Sequence, residues 1–145
     1  MVVSKIIVIT GSVGAGKTTL AKQYAKKGYI HIDVTALVKK EKLHEKYDRK
    51  TKSYVVDEKK VAKRLEKIIK EAKKAKQKIV LDSHLAHYVN PKLVDLCVVV
   101  TCELKTLFKR LKKRKYSHQK IQDNMTCEIM EVCLIEARER GHNVQ

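Results

Sequence analysis

The chain has 145 residues, 43% of them hydrophobic, and carries a formal net charge of +17 at pH 7. Its length and apolar content predict a single domain over residues 1–145 that buries its own core, and they argue against intrinsic disorder. The sequence has no apolar run near the roughly 18 residues of a membrane span and no recognisable signal peptide, so we expect no membrane partner. It has no C-x-x-C pair, so we expect no zinc site. We expect a monomer in the cytoplasm, or in the nucleus if the source is a eukaryote.

The positive charge has two interpretations. A field of this sign attracts polyanions, among them nucleotides, RNA and acidic proteins. The same charge also results when lysine simply fills the solvated faces of helices, which affects solubility rather than function. Composition alone leaves both interpretations open.

Short apolar runs alternate with helical patterns along the chain. The runs are apolar without alternation, which is typical of strands covered on both faces. Strands are predicted over residues 5–10, 29–33, 78–82 and 96–101, and helices over residues 17–27, 58–76 and 117–140, the last as one long helix. Strands that alternate with helices indicate βαβ units and a parallel sheet.

The segment GSVGAGKTT, residues 11–19, joins the first predicted strand to the first predicted helix and holds three of the five glycines. It satisfies the pattern G-x-x-x-x-G-K-[ST] of a phosphate-binding loop, in the strand–loop–helix context that the pattern requires. Glycine allows backbone N–H groups to approach a phosphate, and the helix N-terminus favours negative charge. We expect Lys17 to reach the β- and γ-phosphates, Thr18 to ligate Mg²⁺ and Thr19 to add a phosphate contact.

Asp82 ends the third predicted strand, where the metal-binding carboxylate of such a loop protein belongs. The alternative is an aspartate that caps the next turn. His84 follows two residues later, at the end of the sheet where ligands bind, and it either positions a water molecule or is an ordinary surface histidine.

Arg110 and Arg114 are four residues apart and therefore share one face of a helix. The planar guanidinium suits bidentate phosphate recognition and stacking on a base. The alternative is a basic, solvated helix end.

The motifs GSVGAGKTT and DSHL (residues 82–85), together with LFKRLKKRKYSHQKIQDNMTCEIMEVCLIEA (residues 107–137), resemble the coilin-interacting nuclear ATPase (CINAP) type of adenylate kinase. The resemblance covers nearly the whole chain, and the third motif is far more specific than a phosphate-binding loop. It implies a P-loop nucleoside monophosphate kinase fold of class α/β. This fold is a three-layer α/β/α arrangement around a parallel sheet of strand order 2-3-1-4, with the fifth strand short or missing.

The resemblance also implies the catalytic and ATP-binding residues. Asp82 and His84 match a D-x-H element associated with Mg²⁺ and ATP hydrolysis. Arg114 matches a lid arginine that contacts ATP, and Arg110 matches the arginine that flanks adenine. With Lys17, these residues form the implied catalytic set of Lys17, Asp82, His84 and Arg114. The loop residues implied to hold ATP are Gly11, Gly14, Ala15, Gly16, Lys17, Thr18 and Thr19.

Two further segments follow from the resemblance. Residues 33–56 match the segment that binds the nucleoside monophosphate, with Asp33 and Lys39 as its candidate residues. Residues 113–123 match a short lid. The lid is expected to close over ATP and AMP and to exclude water.

The chain departs from the family pattern at four places. Val13 replaces a proline of the loop, which changes backbone stiffness but keeps the phosphate donors. Lys39 replaces an arginine, so a bidentate phosphate contact is lost. HEKYD at residues 44–48 replaces Y-D-G-Y-D. Relatives usually continue beyond GHNVQ through a last strand and helix, so we expect weaker adenine specificity and an exposed sheet edge.

Three functions remain open on the sequence. The first is an adenylate kinase that uses Mg-ATP to phosphorylate AMP and also hydrolyses ATP. For it the family implies a role in 18S/16S rRNA maturation, with a small-subunit ribosomal protein or rRNA as partner. The second is an ATPase assembly factor with little AMP kinase activity. The third is a non-catalytic nucleotide-binding module, against which the intact Lys17, Thr18, Asp82 and Arg114 argue.

Overall fold

The computed structural model describes residues 5–49 and 53–145, which form a parallel sheet with helices on both faces. No helix in this part of the chain is both long and apolar enough to span a membrane. The strands are β1 (Ile6–Gly11), β2 (Ile30–Asp33), β3 (His44–Asp48), β4 (Ser53–Val56), β5 (Ile79–Asp82) and β6 (Leu96–Val100). The α-helices are α1 (Lys17–Lys26), α2 (Val34–Lys40), α3 (Glu58–Lys74), α4 (Leu104–Lys113), α5 (His118–Ile129) and α6 (Val132–Glu139).

The main sheet has the order β2-β5-β1-β6, and all of its strand pairs are parallel. Numbered among these four strands alone, this is the predicted order 2-3-1-4, so the α/β fold prediction is confirmed. All six residues of β1 are buried. Ile6 and Val8 pack into one core and Ile7 and Ile9 into another, because successive side chains of a strand point to opposite faces. This two-sided burial explains the continuous apolar run.

The long helix predicted over residues 117–140 is wrong, because two helices occupy that segment. Glu131 interrupts it with a left-handed backbone conformation, φ 52°, between α5 and α6. Ile121 of α5 packs against α4, whereas Ala137 of α6 is buried in the core beneath the sheet. One straight helix cannot bury both residues in their separate clusters, so the chain forms two helices although the sequence pattern continues through the break.

No helix or strand was predictable from the sequence pattern between residues 34 and 56, and the structure contains three elements there. Here α2 begins at Val34, and the Asp33 carboxylate caps it by accepting a hydrogen bond from the Ala36 N–H at 3.1 Å. The strands β3 and β4 then form an antiparallel hairpin separate from the main sheet. Residues 50–52 of the predicted monophosphate-binding segment and residues 1–4 of the predicted domain lie outside the described residues.

The last residues of the chain pair with the edge strand β6. The Cys97 N–H donates to the Asn143 carbonyl oxygen at 2.9 Å, and the Gln145 N–H donates to the Cys97 carbonyl oxygen at 2.9 Å. Val144 makes a parallel bridge to Cys97. These contacts cover the sheet edge at Cys97, so the expectation that this edge is exposed is wrong there.

Candidate active site

The loop between β1 and α1 depends on two glycines with left-handed backbone conformations. Gly14 has φ +87° and Gly16 has φ +109°, values that side chains other than hydrogen rarely permit. A Cβ atom at Gly14 would lie 3.2 Å from Leu107 Cδ1, so the loop rests closely on α4. Gly16 is the N-cap residue of α1, and no side chain caps this helix. Its first N–H groups are thereby left for an anion.

Two residues implied to bind ATP, Gly11 at the end of β1 and Ala15 within the loop, are buried. Gly11 has φ +147°, and a Cβ atom there would collide with the carbonyl oxygen of Val100 on β6. The absence of a side chain at Gly11 is therefore needed for strand packing. Neither residue lines the cavity described next.

A cavity of about 410 Å³ opens in front of the loop at the carboxyl ends of β1, β2 and β5. It brings together most of the predicted site and leaves out Lys39, which lies in the last turn of α2. The predicted residues that line it are Gly14, Gly16, Lys17, Thr18, Thr19, Asp33, Asp82, His84, Arg110 and Arg114. Val13, Thr35 and Ser83 line it as well.

Lys17 folds back onto its own loop. Its Nζ atom donates hydrogen bonds to the carbonyl oxygens of Gly11 at 3.0 Å and Ser12 at 2.8 Å. Burial lowers the pKa of Lys17 to about 8, against the opposing effect of the Asp82 carboxylate. A phosphate placed in the cavity would offer this ammonium group a full negative charge in place of two neutral carbonyl oxygens.

Asp82 is buried, and its Oδ2 atom accepts two hydrogen bonds. Thr18 Oγ1 lies 2.9 Å from this oxygen and His31 Nε2 lies 3.2 Å from it. In the sheet Asp82 is in register with Asp33 of β2 and Ile9 of β1. A carboxylate next to a hydroxyl in this cavity is the hard-oxygen donor set that Mg²⁺ prefers, so Thr18 and Asp82 fit this cation.

His84 lines the cavity with its side chain partly in solvent. Loss of hydration beside the surrounding protein, followed by the positive charge of Lys17, lowers the pKa of His84. At neutral pH His84 is therefore an uncharged imidazole, which can accept a proton or orient a water molecule.

The two predicted arginines flank the loop from the side of α4. Arg110 Nη1 donates to the carbonyl oxygen of Gly14 at 3.0 Å. Arg114 is the C-cap residue of α4, and its Nη1 donates to the Tyr116 hydroxyl at 3.4 Å. Both arginines reach the cavity, so they bring two permanent positive charges to the place where phosphates would lie.

His31 is the residue that sequence reasoning missed at this site. It lies on β2, and only the pairing of β2 with β5 brings it to Asp82. A histidine within a short apolar run carries no motif of its own. The register between two strands about 50 residues apart was the missing information.

The site agrees with the comparisons with known proteins. The family model described as AAA domain matches residues 7–131. An adenylate kinase isoenzyme 6 homolog from Schizosaccharomyces pombe is 42% identical over 134 residues, which are 92% of this chain and 74% of that protein. The homolog from Dictyostelium discoideum is 38% identical over 133 residues, 91% of this chain and 73% of that protein.

A solved structure extends the comparison to the fold. The shikimate kinase of Acinetobacter baumannii in complex with shikimate superposes with a TM-score of 0.62, at 15% sequence identity, and covers 96% of this chain and 81% of that chain. At this identity the likeness concerns the fold alone. The chain has the P-loop kinase fold.

Proposed function

The chain belongs to the adenylate kinase family that includes these relatives, and from this premise we propose that it transfers the γ-phosphoryl group of Mg-ATP to AMP, giving two ADP. It is an enzyme of the nucleoside monophosphate kinase class. The observation that carries the proposal is the presence of Lys17, Thr18, Asp82 and Arg114 around one cavity in front of the glycine loop. Phosphoryl transfer needs little covalent help from a protein, so positioning and charge neutralisation by such residues suffice.

The donor half of the site follows from the contacts of the loop. In this proposal the Lys17 ammonium leaves the carbonyl oxygens of Gly11 and Ser12 for phosphate oxygens of ATP. Arg110 and Arg114 add positive charge on the α4 side. Thr18 and Asp82 would hold Mg²⁺, and the cation would supply positive charge to neutralise the phosphates during transfer.

The acceptor half is assigned to residues 33–56. Asp33 and Thr35 line the cavity at the start of α2, whereas Lys39 lies one helical turn further on and outside it. Because Lys39 matches a phosphate-binding arginine of the family, we assign it to the phosphate of AMP. Since it lies outside the cavity, this contact would form in a closed state of the enzyme. The lid, residues 113–123, contains the break between α4 and α5, where Lys115 has φ 58°. Closure of such segments excludes water during transfer.

A second activity, slow ATP hydrolysis, is proposed for His84. Its neutral imidazole in the cavity supports a role in orienting a water molecule toward the γ-phosphate. A function as an ATPase assembly factor would use this activity in maturation of the small ribosomal subunit, in the cytoplasm or nucleus.

Exposed lysines support a polyanionic partner such as rRNA for this function. The exposed side of α3 carries Lys59, Lys60, Lys63, Lys67 and Lys70. Contacts of this kind weaken steeply as salt increases. Replacement of Lys63, Lys67 and Lys70 by Glu would test the surface by cosedimentation with small ribosomal subunits. Unchanged cosedimentation of the triple variant at 50 and 200 mM salt would exclude it.

The kinase proposal is tested by steady-state ADP formation from Mg-ATP with and without AMP, with Lys17→Ala as the blank. We expect a rate that rises with AMP and saturates. A slow rate indifferent to AMP would favour the ATPase assembly factor. ATP binding without any turnover would favour the non-catalytic module.

A further inference from the structure

His31 contacts the metal-binding carboxylate from behind. Its Nε2 atom lies 3.2 Å from Asp82 Oδ2, and the Thr18 hydroxyl lies 2.9 Å from the same oxygen. Because a carboxylate oxygen only accepts hydrogen bonds, Nε2 must carry the hydrogen of this contact. His31 does not line the cavity. It therefore contacts Asp82 from outside the cavity in which a nucleotide would lie.

The contact is shielded from water. Asp82 is 5% exposed and the His31 side chain is 20% exposed. A hydrogen bond in such surroundings is stronger than one in water, and it holds the carboxylate in one orientation. The parallel pairing of β2 with β5 fixes the backbone of both partners, since His31 is in register with Val80 and Asp33 with Asp82. The arrangement is built into the sheet rather than into a loop.

The two donors saturate one oxygen and leave the other. Oδ2 receives both His31 and Thr18, whereas Oδ1 receives no hydrogen bond from the described residues. Partners in the second shell of a metal site orient its ligands, and their loss typically reduces metal affinity about 10- to 100-fold. A carboxylate held at Oδ2 alone would present Oδ1 to a cation.

We propose that His31 is a positioning residue for magnesium: by donating to Asp82 Oδ2 it fixes the carboxylate so that Oδ1 is presented to the Mg²⁺ ion of the bound nucleotide. The inference rests on the magnesium-nucleotide part of the proposed function and not on the identity of the acceptor. His31 acts through Asp82 and takes no part in the transfer itself.

The experiment measures how much Mg²⁺ increases the affinity of the protein for ADP. ADP affinity is determined by calorimetry in EDTA and at saturating Mg²⁺, and the ratio of the two dissociation constants is the coupling. We expect His31→Met, which keeps bulk but lacks a donor, to reduce the coupling about tenfold or more while ADP affinity in EDTA stays within twofold. His31→Gln, whose amide can donate, should restore most of it. Lys73→Ala on the exposed side of α3 is the matched control and should match the wild type.

A coupling in His31→Met within twofold of the wild type would overturn the inference. If that unchanged coupling came with an equal loss of ADP affinity in EDTA and in Mg²⁺, it would indicate that His31 only supports the fold. If His31→Met does not fold, the wild type is compared with His31→Gln instead. Electron paramagnetic resonance then measures the affinity of Mn²⁺ for the ADP complex of each protein. A loss of Mn²⁺ affinity beyond tenfold in His31→Gln would contradict rescue by a donor. Because no turnover is measured, failure of AMP phosphorylation would leave this result intact.

Discussion

The Nζ atom of Lys17 lies 2.8 Å from the carbonyl oxygen of Ser12, within the loop that it is proposed to serve. The ammonium group is thus held inside the loop by carbonyl oxygens, and burial lowers its pKa to about 8. Nucleotide binding has to exchange these contacts for phosphate oxygens. This exchange has consequences for pH dependence that can be measured.

We predict that ATP affinity falls as pH rises above about 8. Phosphate stabilises the charged form of Lys17, so binding takes up a proton where the free protein has lost it. The dissociation constant should rise up to tenfold for each pH unit between about 8 and 10, and calorimetry in buffers of different ionisation enthalpy should detect the proton uptake. Lys17→Met should bind more weakly and show neither effect. A wild-type affinity independent of pH between 7 and 9.5 would contradict this.

The same shift affects the stability of the free protein. In the unfolded chain Lys17 has its ordinary pKa near 10.5, whereas the folded chain loses this proton near pH 8. Between these values the unfolded state binds more protons, so the contribution of Lys17 to the free energy of unfolding rises with pH. Denaturant unfolding at pH 8 and 10 of wild type and Lys17→Met should show this difference, with the wild type gaining relative to the variant.

Replacement of His84 should separate hydrolysis from binding. We expect His84→Gly to reduce ATP hydrolysis without AMP about 10- to 100-fold while the dissociation constant for ATP changes less than threefold. Since the pKa of His84 is lowered, its titration should leave no step in the hydrolysis rate between pH 6 and 8. An equal loss of hydrolysis and ATP binding would assign a structural role to His84 instead.

Gly11 should matter more for stability than other glycines with positive φ. Gly11→Ala forces a Cβ atom into the Val100 carbonyl group and should lower the free energy of unfolding by about 2 kcal/mol or more. Gly28→Ala is the matched control, because Gly28 also has positive φ but nothing lies within 4 Å of its Cβ position. It should cost about 1 kcal/mol. Equal losses in urea unfolding would show that the contact with Val100 is relieved.

Lys39→Arg should increase the affinity for AMP if α2 binds the phosphate of the acceptor. A guanidinium can grip a phosphate with two parallel hydrogen bonds, whereas an ammonium acts as a point charge. We expect the KM for AMP to fall roughly threefold to tenfold with the KM for ATP unchanged. Lys40→Arg, on the next residue of the same helix, is the control. An unchanged KM for AMP would place the acceptor phosphate elsewhere.

Local chemistry made the donor half of the site predictable. The loop pattern located Lys17 and Thr18, and the strand ending at Asp82 located the carboxylate that lies beside Thr18 in the cavity. These residues have fixed spacings because short elements position them. The strand order was also predictable, since it follows from a resemblance that covers nearly the whole chain.

Features that depend on packing between distant parts of the chain could not be predicted from the sequence. The contact of His31 with Asp82 requires the register of two strands. The break at Glu131 lets α5 and α6 pack into two different hydrophobic clusters. The packing of Gly11 against Val100 likewise depends on a neighbouring strand, which the glycine pattern of the loop does not reveal.

The most direct test of phosphoryl transfer is to follow the γ-phosphoryl group of labelled ATP in the presence of Mg²⁺ and AMP, over a single turnover. We predict that the label appears in the β-phosphate of ADP formed from AMP, and that Lys17→Ala abolishes this transfer. Label recovered only as inorganic phosphate, at a rate that AMP does not change, would contradict it and leave ATP hydrolysis as the activity of this site.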